Sequence, residues 1–173
     1  RTVEIVPVDL NSLLYHLEDV LARAYRVQGD GKSAAEFTSR ARQRRDAMRR
    51  HLWDWRQRAF GDLLWSEGRL TGNVTAATLY PLYFRVATAA QARAVARTVQ
   101  STLLEPDGLA TTTQRTGQQW DAPNGWAPLQ WIAIEGLANY RYAALARDIA
   151  QRWIRENVTH YRATGRLVEK YDV

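Results

Sequence analysis

The stretch DLNSLLYHLEDVLARAYRV, Asp9 to Val27, decides the architecture. Leu10, Leu13, Leu14, Leu17, Val20, Leu21 and Ala24 recur at intervals of three and four, the spacing that lays one apolar stripe along an α-helix. Asp9 stands where a helix N-cap belongs, because a short carboxylate can accept from the free N–H groups of the first turn. The expectation is a helix from about Leu10 to Val27. GDGK at Gly29 to Lys32 breaks the pattern, and a second helix from about Ser33 to Leu52 completes a helical hairpin.

The same alternation continues along the chain. A third helix, expected from Val74 to about Ala87, is apolar on most sides, and a fourth, from about Ala90 to Leu104, has a polar side with Arg93 and Arg97. Pro123, Asn124 and Gly125 open a fifth, WAPLQWIAIEGLANY, and a sixth spans about Tyr142 to Tyr161. Between the second and third helices, Trp53 to Asn73 alternates bulky residues around the turn SEGR and predicts a short β-hairpin. EPDGLATTTQRTGQQWDAP reads as a long polar loop, and TGRLVEKYDV as an extended tail. Helix pairs whose first member is the more apolar predict an all-α fold of the α/α toroid kind, with inner and outer layers. Parallel inner helices send their loops to one end, so Gly117 to Pro128 should line a shared pocket. Three pairs make half of a six-pair barrel, and the chain reads as part of one domain.

The totals agree with a packed domain. A chain of 173 residues can bury roughly 70% of its unfolded surface. Its apolar fraction of 46% with seven Trp and eight Tyr excludes a disordered chain, and no apolar run approaches the roughly 18 residues of a membrane span. The chain begins at Arg1 without a charged-then-apolar leader, so the expectation is a mature piece. With no cysteine and three scattered histidines, no disulfide, thiolate site or metal site is expected. The formal charge of +6 and the run SRARQRRDAMRR at Ser39 to Arg50 raise nucleic-acid binding. Ala35, Phe37, Ala41, Ala47, Met48 and Leu52 give the same segment an apolar side, which makes its arginines the solvated face of an outer helix. Nothing resembling a phosphate loop, an RNA-binding sheet motif or a zinc finger accompanies it, so no nucleic-acid partner is expected. Asn73-Val74-Thr75 and Asn157-Val158-Thr159 are glycosylation acceptor tripeptides of a common pattern.

GQQWDAPNGWAPLQW, Gly117 to Trp131, is a different kind of segment. It holds three tryptophans, three glutamines, an aspartate and an asparagine. Aromatic faces cover the C–H faces of a pyranose, while Asp, Asn and Gln bind its hydroxyls, so the mixture suits a sugar site. The competing reading is that Trp126 and Trp131 pack the fifth helix and that Asp121 and Asn124 cap it.

QWDAPNGWAP at Gln119 to Pro128 resembles the second signature of the trehalases, glycoside hydrolase family 37. IVPVDLNSLLY at Ile5 to Tyr15, PLY at Pro81 to Tyr83, GLATT at Gly108 to Thr112 and LVEKYDV at Leu167 to Val173 follow in the family's order, so the resemblance covers the whole chain. It is closest to the bacterial periplasmic branch, whose catalytic domain is an (α/α)6 barrel. The resemblance implies hydrolysis of α,α-trehalose to two glucoses with inversion, carried out by two carboxyls ~6.5–9.5 Å apart and without a cofactor. It places the general base on Glu169, which by itself is a glutamate beside Lys170 in a polar tail. The catalytic acid, an aspartate in a segment preceding VPVDLN, falls on neither Glu4 nor Asp9 and is expected outside the chain. So are the first signature and a glycine-rich lid segment. The chain, residues 1–173, would then be the C-terminal part of one catalytic domain, inactive alone and partnered by the rest of that domain. Gln119, Trp120, Asp121, Asn124 and Trp126 are the expected sugar-binding residues, and Asp9 is left as a helix cap that at most braces the pocket. Trehalose and glucose are the implied small-molecule partners. The implied compartment is the periplasm, with the cytoplasm as the alternative. An α/α-barrel glycosidase of another specificity and a basic nucleic-acid-binding module are the alternatives to the trehalase reading.

Overall fold

In the computed structural model, which describes residues 2–173, most of the chain is helical and the sheets are small. The helices are α1 (Val8–Val27), α2 (Gly31–His51), α3 (Tyr80–Tyr83), α4 (Ala89–Thr102), α5 (Ala127–Asn139) and α6 (Ala143–Thr164). Short strands join them: β1 (Ile5–Val6), β2 (Trp53–Asp54), β3 (Ala59–Phe60), β4 (Leu63–Leu64), β5 (Arg69–Leu70), β6 (Leu104–Glu105), β7 (Gly108–Leu109), β8 (Asn124–Trp126) and β9 (Lys170–Asp172). α1, α3 and α5 lie side by side; α2 covers α1, α6 covers α5, and α4 packs against the 3-10 turn Ala76–Leu79 that leads into α3. The first and last pairs follow the expected pairing of helices, while α4 meets the turn before α3 in place of a full inner helix. The core is built from Leu79, Leu82, Val86, Val95, Val99, Leu103, Leu137 and Ile149, all fully buried. α3 and α5 approach so closely that a Cβ on Gly136 would come within 3.0 Å of the Tyr83 nitrogen and 3.1 Å of the Leu79 oxygen.

The third helix is the largest departure from expectation. Instead of running from Val74 to Ala87, the chain stays extended at Thr75, bridges to Thr112, makes the 3-10 turn and forms only one α-turn. Pro81 is tolerated because it sits in that first turn, where its missing N–H has no helical partner to lose. Beyond it Arg85 takes a left-handed conformation, φ 57°, and the Val86 and Ala87 N–H groups both fold back onto the Pro81 oxygen. The Arg85 guanidinium reaches Asn139 at the end of α5, which ties this corner down.

The excursion after α2 is two hairpins rather than one. β2 pairs with β3; β4 pairs with β5 around the expected SEGR turn, and β1 adds to β4 as a third strand. The long polar loop contains another hairpin, β6 with β7. α5 begins at Ala127, because Asn124 to Trp126 form β8, and the tail is a paired strand. α1 is as expected in extent, yet Leu10, Leu13, Leu17 and Val20 of its stripe are exposed, and Val8, Ser12 and Ala22 are its buried residues. The arginine run is not all solvated face. Arg44 holds both carboxylate oxygens of Glu18 and the Asn11 Oδ1 across the α1–α2 seam, and Arg49 donates to the Val86 oxygen at 2.6 Å.

Asp62, not Asp9, caps α1. Pro7 occupies the N-cap position, so the cap comes from a distant loop: Asp62 Oδ1 accepts the Val8 N–H at 2.9 Å. Asp9 lies inside the first turn, where its own Oδ1 faces the Leu10 N–H. Burial raises the Asp62 carboxyl above the ordinary value of 3.8, the Val8 hydrogen bond opposes the rise, and Asp9 adds repulsion. A carboxyl whose pKa is raised by folding contributes stability that is full below its unfolded pKa and is lost as pH climbs through the raised value. Asp62→Asn keeps the acceptor oxygen and removes the charge. Its thermal midpoint should exceed the parent's at neutral pH, with the gap closing as pH falls toward 3.8. Melting curves across that range, followed by circular dichroism, check it; a lower midpoint at neutral pH would show that the helix terminus needs the anion more than burial penalises it.

Candidate active site

The loop from Thr111 to Trp126 is braced from within before it meets anything else. Thr111 donates its N–H and its hydroxyl to the Asn124 oxygen at 3.0 and 2.8 Å, and the Ala122 N–H reaches the Gln114 oxygen at 2.9 Å. Asp121 Oδ2 takes the Thr116 N–H at 3.0 Å and also the Thr116 hydroxyl. Asp121 therefore spends one carboxylate oxygen on the loop's own turn. Trp126 is 4% exposed, and its indole N–H donates to the Gln119 oxygen at 2.9 Å. Trp120 lies flat on it, centroids 3.8 Å apart and planes within 5°. Because Trp126 is sealed beneath, the aromatic face open to solvent belongs to Trp120, which is 48% exposed.

The tail then meets the loop. β8 and β9 pair antiparallel with Asn124 opposite Asp172, Gly125 opposite Tyr171 and Trp126 opposite Lys170. The Lys170 ammonium donates to Asn124 Oδ1 at 2.7 Å, and the Val173 N–H extends the pairing to the Pro123 oxygen. Gly125 is where this contact is tightest: a Cβ there would stand 2.6 Å from Val173 Cγ1, 2.9 Å from the Leu109 oxygen and 3.1 Å from Gln130 Nε2. Gln130, fully buried on the first turns of α5, uses its amide as a strand would, accepting the Leu109 N–H and donating to the Leu109 oxygen. Three sequence blocks, at Leu109, Asn124 to Trp126 and Lys170 to Asp172, are thus locked into one unit at the start of α5.

Of the anticipated residues, Asn124 and Trp126 belong to that unit and the others flank it. Gln119 is exposed with no side-chain bond to the described residues, Trp120 is the open face, Asp121 is half-buried, and Asn124 and Trp126 are buried braces. Glu169 is exposed on the bend that precedes β9, one residue from the strand that faces Trp126. The sequence assigns no site role to Gln130, Gly125, Lys170 or Tyr171, although three of them stand in the QWDAPNGWAP and LVEKYDV blocks; their contacts come from the tertiary pairing. Clefts of about 570 Å³ between α1 and α2, 600 Å³ between α4 and α6, and 810 Å³ among α1, α3 and α5 lie elsewhere. The loop residues line none of these three. Among the described residues no cluster of His, Asp or Glu is arranged to hold a metal ion, and no helix is long and apolar enough to cross a membrane.

The family model for trehalase matches residues 1–173. The chain belongs to the trehalase family. A periplasmic trehalase of Citrobacter koseri and one of Salmonella agona are each 47% identical to it over 174 residues, covering 100% of this chain and 30% of the relative. This trehalase-family chain therefore spans about 30% of the length of those relatives. Among solved structures, a neutral trehalase from Saccharomyces cerevisiae superposes with a TM-score of 0.90 at 30% identity, over 98% of this chain and 34% of that one. A GH63 mannosylglycerate hydrolase from Thermus thermophilus gives a TM-score of 0.80 at 19% identity, over 97% and 40%, and shares the fold.

Proposed function

We propose that this chain is the C-terminal part of an (α/α)6 barrel that hydrolyses α,α-trehalose to two glucose molecules with inversion. The observation that carries the reading is the β8–β9 pair, which sets the bend bearing Glu169 beside the loop bearing Trp120 although 49 positions separate them in the sequence. In the reaction, an acid from outside this chain protonates the glycosidic oxygen while water attacks the anomeric carbon from the opposite face. Glu169 takes a proton from that water as the C–O bond to the leaving glucose breaks. The open face of Trp120 covers a sugar ring, and Gln119 and the free oxygen of Asp121 bind hydroxyls. Asn124 and Trp126 act from behind, by holding that surface in place. The exposed stripe Leu10, Leu13 and Leu17 supports the partial-barrel reading, since such a stripe on an inner helix is a seam for the rest of the same polypeptide. The isolated piece is accordingly inactive, and the periplasm is the compartment its relatives' names suggest.

The test is hydrolysis by the complete polypeptide that contains this chain, with trehalose, maltose, sucrose and mannosylglycerate compared side by side. Trehalose should be cleaved, and proton NMR at early times should show α- and β-glucose in equal amounts, because only the attacked carbon inverts. Trp120→Ala should lower kcat/KM by about tenfold, ~1.4 kcal/mol of transition-state binding. Cleavage of another disaccharide in preference to trehalose would keep the glycosidase and change its substrate; the shared fold with a mannosylglycerate hydrolase is the reason to include that sugar. Unchanged kinetics in Trp120→Ala would remove the sugar platform.

A further inference from the structure

Among the described residues, no hydrogen bond or ion pair holds the Glu169 carboxylate, and the segment before it, Arg166 to Val168, has no regular structure. A base that must meet one water on one face of a sugar cannot be left to such a segment, because a misplacement near 1 Å costs on the order of 10²-fold in rate. What fixes it lies on either side. The Val168 N–H donates to the Tyr171 hydroxyl at 3.2 Å, a bond that spans Glu169 and Lys170 and closes the bend. The Tyr171 ring is 4% exposed, wedged edge-on against Trp153 and His160 of α6, with centroids 5.2 Å from each and interplanar angles of 89° and 88°. Across the strand pair it stands opposite Gly125. Lys170 supplies the second anchor through Asn124.

We propose that Tyr171 is the positioning residue of this site: its ring fixes the strand to α6, and its hydroxyl, by taking the Val168 N–H, sets the bend that presents Glu169. The inference rests on Glu169 being the base. The hydroxyl is the informative atom, because a tyrosine retained for packing alone has no use for it in this place. Lys170 plays the supporting part, holding the far side of the bend to the signature loop so that base and sugar platform move as one body.

Tyr171→Phe in the complete polypeptide removes that one oxygen and keeps the ring. The expected result is a kcat about tenfold lower or more, with KM within about twofold of the parent. The acid limb of the pH–rate profile should stay at the same pH while the plateau falls, since the base is displaced and not re-tuned. The thermal midpoint should move by no more than a few degrees. Lys170→Met should give the same split between kcat and KM. Glu169→Gln run in parallel separates the two levels of the reading. If Glu169→Gln is inactive while Tyr171→Phe and Lys170→Met turn over at the parent rate per folded molecule, the base stands and the positioning inference is overturned. If Glu169→Gln retains turnover, the base assignment falls and takes this inference with it.

Discussion

Glu169→Gln in the complete polypeptide is expected to lower turnover of trehalose by about 10³-fold, with little change in KM or in thermal midpoint. The size follows from the role: a general base positioned on the attacking water contributes roughly 10²–10⁴-fold, and an amide cannot accept that proton. The lack of effect on the fold follows from the structure. Glu169 is exposed and makes no bond to the described residues, so its replacement by a side chain of nearly the same shape removes no contact. That combination makes the variant clean, because lost activity cannot be blamed on lost structure. Glucose release by parent and variant, at matched ellipticity and matched midpoint, is the measurement. Full activity in the variant would move the base elsewhere and leave Trp120 without its proposed neighbour.

How much of this was legible in the chain depends on whether the deciding interaction is local. α2 and α4 were within two residues of expectation because their termini are written locally, Asp30 accepting the Ser33 N–H and Thr88 with Gln91 forming a capping box. α1 was placed nearly correctly from its spacing, with the wrong cap. Its periodicity was real, but its cap is Asp62, which lies 54 positions away and cannot be found by scanning neighbours. The third helix failed because apolar composition on most sides gives no clear period to read, and the bridge from Thr75 to Thr112 overrides the helical preference of the residues around it. Around the site the same rule held. The aromatic and hydrogen-bonding character of Gly117 to Trp131 was visible at once, whereas the division of labour between Trp120 and Trp126 came only with the stack that hides one ring under the other. Glu169 by itself carried no chemical signal and was singled out only through the resemblance of LVEKYDV, and its place beside the loop is a property of the β8–β9 pair.

That pair also holds the most tightly enclosed glycine among the described residues, and Gly125→Ala should show it. A new Cβ meets Val173 Cγ1 at 2.6 Å, which a side chain could yield, but also the Leu109 backbone oxygen at 2.9 Å, which cannot move without disturbing its bond from Gln130. One of three things must shift: β8 away from β9, Leu109 away from α5, or the Gln130 amide out of its slot. Overpacking of this kind costs about 1–3 kcal/mol, and the loss of buried hydrogen bonds at Gln130 adds roughly 1 kcal/mol for each donor or acceptor left unpaired. Denaturant unfolding of the complete polypeptide should therefore show a stability loss of about 2–4 kcal/mol, provided that the transition stays two-state. Gly31→Ala is the matched control, since nothing lies within 4 Å of a Cβ there and the residue opens α2 without a positive φ. That control should be neutral or gain up to about 1 kcal/mol from a less flexible unfolded chain. The activity of Gly125→Ala gives a second readout. If separation of the strands is what relieves the clash, kcat on trehalose falls with stability, because the bend at Glu169 leaves the loop at Trp120. If stability falls and the turnover of the folded fraction does not, the strain has gone into Leu109 and Gln130, and the β8–β9 pair is stiffer than the α5 anchor beneath it.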